Sequence, residues 1–149
     1  MSDVVELDEK DMKILKMLAQ NGRISFSEMA RSIGLSDVAV MKRVRKLEQK
    51  GVIKGYTVVV DPKKLGYNLV SITGIDVEPQ SLFTVAETLK SWDSVKYLAI
   101  TSGDHAIMTV IWARDSDDMA RIHESISKLP GVKRVCPAVI LEVLKDEKI

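Results

Sequence analysis

Two serines eleven residues apart, with one glycine between them, restrict what the first third of this chain can become. Ser25-Phe26-Ser27-Glu28 matches the S-x-x-E capping box, in which hydroxyl and carboxylate satisfy free backbone N–H groups at a helix start. Ile24 and Met29 flank it and suit a hydrophobic staple. Gly34 ends that helix, only Leu35 follows, and Ser36 is a natural cap for the next one. Met29, Ala30 and Ile33 make the inward face of the first helix. Val40, Val44 and Leu47, recurring at i, i+4 and i+7, make that of the second. Two short helices joined by a three- or four-residue turn containing Gly form a helix-turn-helix. A preceding helix is expected to start at Asp8, with Leu7 and Met12 as a staple. Ile14, Leu15 and Leu18 would face inward, and Asn21-Gly22 would stop it.

The helix after Ser36 carries a second row, Val38, Met41, Lys42 and Arg45, flanked by Arg43 and Lys46. A merely solvated face is expected to alternate signs, yet positions 38–47 contain no acid. Val38 and Met41 are expected to sit exposed among cations near the start of this helix. Apolar groups there suit thymine methyls in a major groove, while Lys42 and Arg45 reach guanine edges or phosphates. Charge is distributed to match: residues 1–56 hold 11 Lys and Arg against 8 Asp and Glu, and residues 57–149 hold 11 against 13. The reading is therefore a DNA-binding domain over residues 1–56.

Val52, Ile53, Tyr56, Val58 and Val60 then alternate like a strand, a short wing or an exit strand, with Gly51 as helix cap and Gly55 as a bend. Asp61-Pro62 and Gly66 mark turns, so a linker is expected over residues 57–68. Beyond it, residues 69–149 read β-α-β-β-α-β. Strands are predicted at residues 70–77, 95–101, 106–113 and 132–144, and helices at 82–92 and 115–128. Phe83, Ala86, Leu89 and Leu82 or Val85 face inward in the first of these helices, and Ser102-Gly103-Asp104-His105 makes the hairpin turn. This is the ferredoxin-like pattern, a four-stranded antiparallel sheet with two helices on one face. The fold class expected for the whole chain is α+β. The uncovered face of so apolar a sheet needs a partner, and a second copy is the economical one.

Several function classes are excluded on the same basis. No run approaches the ~18 apolar residues of a membrane span, and the acidic N-terminus is unlike a signal peptide, which predicts a cytoplasmic protein. The single cysteine, Cys136, rules out an internal disulfide and reads as a small buried apolar group. His105 and His123 lack neighbours at metal-ligand spacing, and His105 reads as a surface residue of a polar hairpin. Asp115-Ser116-Asp117-Asp118 lacks the Gly and terminal Glu of a calcium loop, and acids are expected at a helix start. No phosphate loop or nucleophile motif occurs, so neither catalytic residues, nor a metal, nor a cofactor is expected, and an enzyme is not. The two Asn and three Gln in the chain suit a heat-adapted host.

Both halves together resemble the Lrp/AsnC (leucine-responsive, feast/famine) family of prokaryotic transcription regulators. The stretches that carry the resemblance are LDEKDMKILKMLAQNGRISFSEMARSIGLS, RVRKLEQKGVIKGYTVVVDPKKLGY, TSGDHAIMTV and LPGVKRV. The resemblance implies a winged or plain helix-turn-helix on a palindromic DNA site. It also implies dimers that join into octamers, with a small effector, usually an amino acid, between them. Residue by residue, it puts Ser36, Asp37, Val38, Met41, Lys42 and Arg45 on the DNA-facing side and Arg43 at the DNA backbone. Gly103, Asp104, His105 and Ala106 fall on the effector loop. There this chain departs from the family pattern: Ala106 stands where an Asp is common, and Val135-Cys136-Pro137 where small hydroxyl residues are usual. A bound amino acid needs partners for both its charges, so a different effector or none is expected. Two alternatives stay open at this point: an effector-independent architectural DNA binder, and a ligand-sensing assembly module with a vestigial helix-turn-helix.

Overall fold

The computed structural model describes residues 3–149; Met1 and Ser2, which open the acidic N-terminal stretch, lie outside the described residues. The chain divides into two compact units, one running up to Val59 and including Lys145–Ile149, the other Val60–Leu144.

The first unit contains three helices, α1 (Glu9–Gln20), α2 (Phe26–Ile33) and α3 (Asp37–Gln49). Their starts follow from local chemistry. The capping box is complete at α1, where the Asp8 carboxylate accepts from the Asp11 N–H and the Asp11 carboxylate accepts from the Asp8 N–H. At α2 only half of the expected box forms: Ser25 Oγ accepts from the Glu28 N–H at 3.1 Å, and the exposed Glu28 carboxylate makes no return bond. Gly34, at φ 70°, supplies the left-handed turn between α2 and α3 that a side chain would strain. Ile14, Met29, Ala30, Val40, Val44 and Leu47 form the buried core, with Leu15, Leu18 and Ile33 packed around it. At ~25 cal/mol per Å² of buried apolar area, this small core is what holds the three short helices together. After α3, residues 54–60 form neither helix nor strand among the described residues. Neither the expected wing nor an exit strand forms within one chain, and Val58 and Val59 are each 80% exposed.

The second unit contains β1 (Leu69–Val77), α4 (Leu82–Lys90), β2 (Val95–Ile100), β3 (Ile107–Ala113), α5 (Ser116–Ser127) and β4 (Val132–Val139). The strands form one antiparallel sheet in the order β2-β3-β1-β4. Alternation sorts its faces. Ile75, Val77, Ile107, Ile111 and Ala113 pack on Val85 and Leu89 of α4 and on Met119 and Ile126 of α5. A buried polar chain crosses this face: Ser71 Oγ lies 3.0 Å from Thr73 Oγ1, which lies 2.7 Å from His123 Nε2. His123 Nδ1 sits 2.8 Å from the Met119 carbonyl, which only accepts, so Nδ1 carries the proton and the Thr73 hydroxyl donates to Nε2.

Neither α4 nor α5 packs on the opposite face of the sheet. Ile72 and Tyr97 stand there 43% and 60% exposed. Two expectations need correction. The last strand stops at Val139 rather than residue 144: the Ile140 N–H still donates to the Val70 carbonyl, but β1 begins at Leu69 and leaves residues 142–144 no partner opposite them. Phe83 is 73% exposed, whereas Val85 and Leu89 fill the core, because α4 begins at Leu82 and turns Phe83 outward.

Candidate nucleic-acid interface

The turn between α2 and α3 is the three residues Gly34, Leu35 and Ser36. Ser36 Oγ accepts from the Ala39 N–H at 3.1 Å and so starts α3 one turn ahead of its cations. Asp37 accepts from the Ser27 hydroxyl, fixing α3 against α2 by a bond across the turn. Val40, Val44 and Leu47 are anchored in the core, which fixes the rotation of α3 about its axis. The outer row follows from that rotation: Val38 is 54% exposed, Lys42 and Arg45 are exposed, and Met41 is half-buried rather than free in solvent.

Arg43 behaves differently from its neighbours. Its Nη1 donates to both Asp8 oxygens at 2.9 and 2.7 Å and to Asp11 Oδ1 at 2.9 Å. The carboxylates that cap α1 thus also bind α3. The Asp11 backbone N–H, followed by the Arg43 guanidinium, draws the Asp8 pKa from 3.8 down to about 2. The same pairing, with Asp8 first and Asp11 second, raises that of Arg43. The residue expected at a DNA backbone is therefore occupied inside its own domain. Sequence distance hid this contact, although Asp8 was already legible as a helix cap. Among the described residues, Lys42, Arg45, Lys46 and Lys50 make no ion pair; Lys42 and Arg45 share the row of Val38 and Met41, while Lys46 and Lys50 lie on the Arg43 side near Asp11.

In the second unit, Gly103 and Asp104 project into solvent between β2 and β3, while His105 and Ala106 are half-buried. His105 is not the loose surface residue expected. Its ring lies over Gly74, where any Cβ would overlap it, and its Nδ1 is 2.7 Å from Asp76 Oδ1. Cys136, expected to be buried, is half-buried beside them. Asp76 and Cys136 were not legible as partners of His105, because only the strand register brings them together.

A capped helix-turn-helix with an unpaired basic reading face, followed by a ferredoxin-like unit, defines a two-part DNA-binding regulator. Residues 7–54 match the model of winged helix-turn-helix DNA-binding domains, and residues 70–149 that of the Lrp/AsnC ligand-binding domain. The chain belongs to the Lrp/AsnC family of transcription regulators, and it is not an enzyme. It is 54% identical over 140 residues, 93% of this chain and 99% of the relative, to the HTH-type transcriptional regulator LrpA of Pyrococcus horikoshii. Its fold matches AsnC of E. coli with a TM-score of 0.88 at 26% identity, covering 97% of this chain and 99% of that one. It also matches the feast or famine regulatory protein of M. tuberculosis, solved with L-methionine, with a TM-score of 0.83 at 25% identity over 97% and 98% of the two chains. Among the described residues, no helix is long and apolar enough to cross a membrane.

Proposed function

We propose that this chain regulates transcription from the cytoplasm as a homodimer, assembled further into an octamer, that reads a palindromic operator through α3. In this reading residues 1–56 bind DNA, 57–68 link, and 69–149 assemble the oligomer and receive the effector. Val38 and Met41 touch base edges, Lys42 and Arg45 contact bases or phosphates, and Ser36 and Asp37 set the turn that presents them. Arg43 acts by holding α3 on α1. One observation carries the reading: a helix anchored by its apolar face presents unpaired cations and an exposed valine on the other.

Self-association is supported by two surfaces. One is the apolar sheet face around Ile72 and Tyr97, and the other is the exposed, largely apolar Tyr56–Val60 segment, whose backbone joins no sheet. Gly103, Asp104, His105 and Ala106 form the effector loop. The L-methionine complex of the M. tuberculosis relative suggests an amino acid as effector class, whereas Ala106 and Val135-Cys136-Pro137 favour another small molecule or none in this chain.

A titration of the full chain on genomic and random duplexes at several salt concentrations tests the function. Affinity falling steeply with salt on all DNA, and at least ~10³-fold tighter on some genomic fragments, supports a sequence-specific regulator. Equal affinity for every duplex favours the architectural reading, and no binding at low salt favours a vestigial helix-turn-helix. Thermal scans against the twenty amino acids test the effector, because a ligand of the native state raises the midpoint by mass action.

A further inference from the structure

We propose that Asp76, His105 and Cys136 form a binding site for a divalent transition-metal ion of the zinc class. The site is a product of strand register. β1 pairs Gly74 with Cys136 of β4 on one side and with Met108 of β3 on the other. Asp76 follows two residues along β1, so alternation places it with Gly74 and Cys136 on the sheet face opposite the helices. His105 arrives from the β2–β3 loop and lays its ring over Gly74, a position open only because Gly74 has no side chain. One donor atom from each of Asp76, His105 and Cys136 lies within 4.8 Å of the other two.

The donor set selects the ion. A thiolate, an imidazole and a carboxylate suit zinc, cobalt or nickel, whereas magnesium and calcium favour oxygen-only shells. Bond lengths of about 2.0–2.3 Å place the ligands of a tetrahedral zinc roughly 3.3–3.8 Å apart, so closing the site needs side-chain shifts of about 1 Å. The thiolate and carboxylate together balance a divalent charge, and the thiol proton leaves to solvent on binding. Three protein ligands leave a fourth position for water or a small donor molecule. In the single chain the His105 and Asp76 side chains are 27% and 28% exposed, which leaves the site open to an ion. The pairing of His105 with Asp76 holds the ring in place before any ion arrives. An ion held here would tie the loop at Gly103–Ala106 to β1 and β4.

The full chain, stripped with a chelator and kept reduced, is titrated with cobalt(II). The expected result is a thiolate-to-cobalt charge-transfer band with strong four-coordinate d–d bands, saturating near one ion per chain and bleached by zinc. Cys136→Ser abolishes the charge-transfer band, and Asp76→Asn and His105→Gln each weaken cobalt binding more than about tenfold. Circular dichroism reports whether the variants remain folded. X-ray absorption of the zinc-loaded wild type needs no variant, and one sulfur neighbour at about 2.3 Å is expected. Absence of a charge-transfer band in the wild type, a zinc shell without sulfur, or a band unchanged in a folded His105→Gln overturns the site. It would leave His105 and Asp76 as a hydrogen-bonded clamp of the loop, with Cys136 beside them.

Discussion

Arg45 and Arg43 stand two residues apart on one helix, and removing each should have opposite consequences. Arg45 is exposed and pairs with no carboxylate among the described residues, so Arg45→Ala removes no internal contact. Stability should change by no more than about 0.5 kcal/mol, the usual range for such surface positions. DNA affinity should fall by about 1–3 kcal/mol for each copy that contacts a base, roughly 5- to 150-fold. A dimer on a palindrome carries two copies, so the loss is counted twice where both half-sites are engaged. Arg43→Met instead breaks three hydrogen bonds to Asp8 and Asp11, and should lower the unfolding midpoint of the helical unit. The assay is a fluorescence-anisotropy titration of each variant on a bound duplex, repeated at several salt concentrations, beside a thermal scan. If Arg45 touches a phosphate and not a base, the loss is uniform across sequences and the salt slope shrinks by about 1 per contact. Wild-type affinity in Arg45→Ala, or a large loss of stability, would refute the assignment of this face of α3 to DNA.

Other outcomes follow from the same structure. The Asp8 pKa is depressed from 3.8 to about 2, so its stabilising contribution is fully present above pH 3.8 and disappears as pH falls through 2. Acid titration of the helical circular-dichroism signal should therefore show a loss in that window that Asp8→Asn flattens; an unchanged profile would remove Asp8 from the account. Thr73→Val leaves His123 Nε2 without its donor on the buried face and should destabilise the second unit by about 1–3 kcal/mol in urea unfolding. A neutral result would mean that the buried polar chain is dispensable. Ile72→Glu puts a charge on the uncovered sheet face and should shift sedimentation of the full chain towards smaller species without unfolding it. An unchanged distribution would move the self-association surface elsewhere.

The parts of the fold legible in the sequence are those set by neighbours in the chain. Asp8, Ser25, Ser36 and Gly34 mark helix ends through bonds spanning only a few residues, and the three helices form where those signals lie. The βαββαβ order followed from alternation and turn residues in the same way. What was hidden depends on contacts between distant positions. Arg43 meets Asp8 only because α1 and α3 pack, and nothing in its own basic surroundings signals it. His105 is polar in a polar hairpin, so it read as solvated until the register placed Gly74 beneath it and Asp76 beside it. β4 reads as apolar beyond Val139, but hydropathy does not reveal where its partner strand ends.

The central claim is that α3 reads specific DNA as part of a symmetric assembly. Selection of genomic fragments bound by the full chain tests it most directly. Enriched fragments are expected to share two inverted half-sites whose centres lie about 10 bp, one helical turn, apart, with the enrichment lost in Arg45→Ala. Bound fragments with no common sequence, or the same enrichment in that variant, would contradict it.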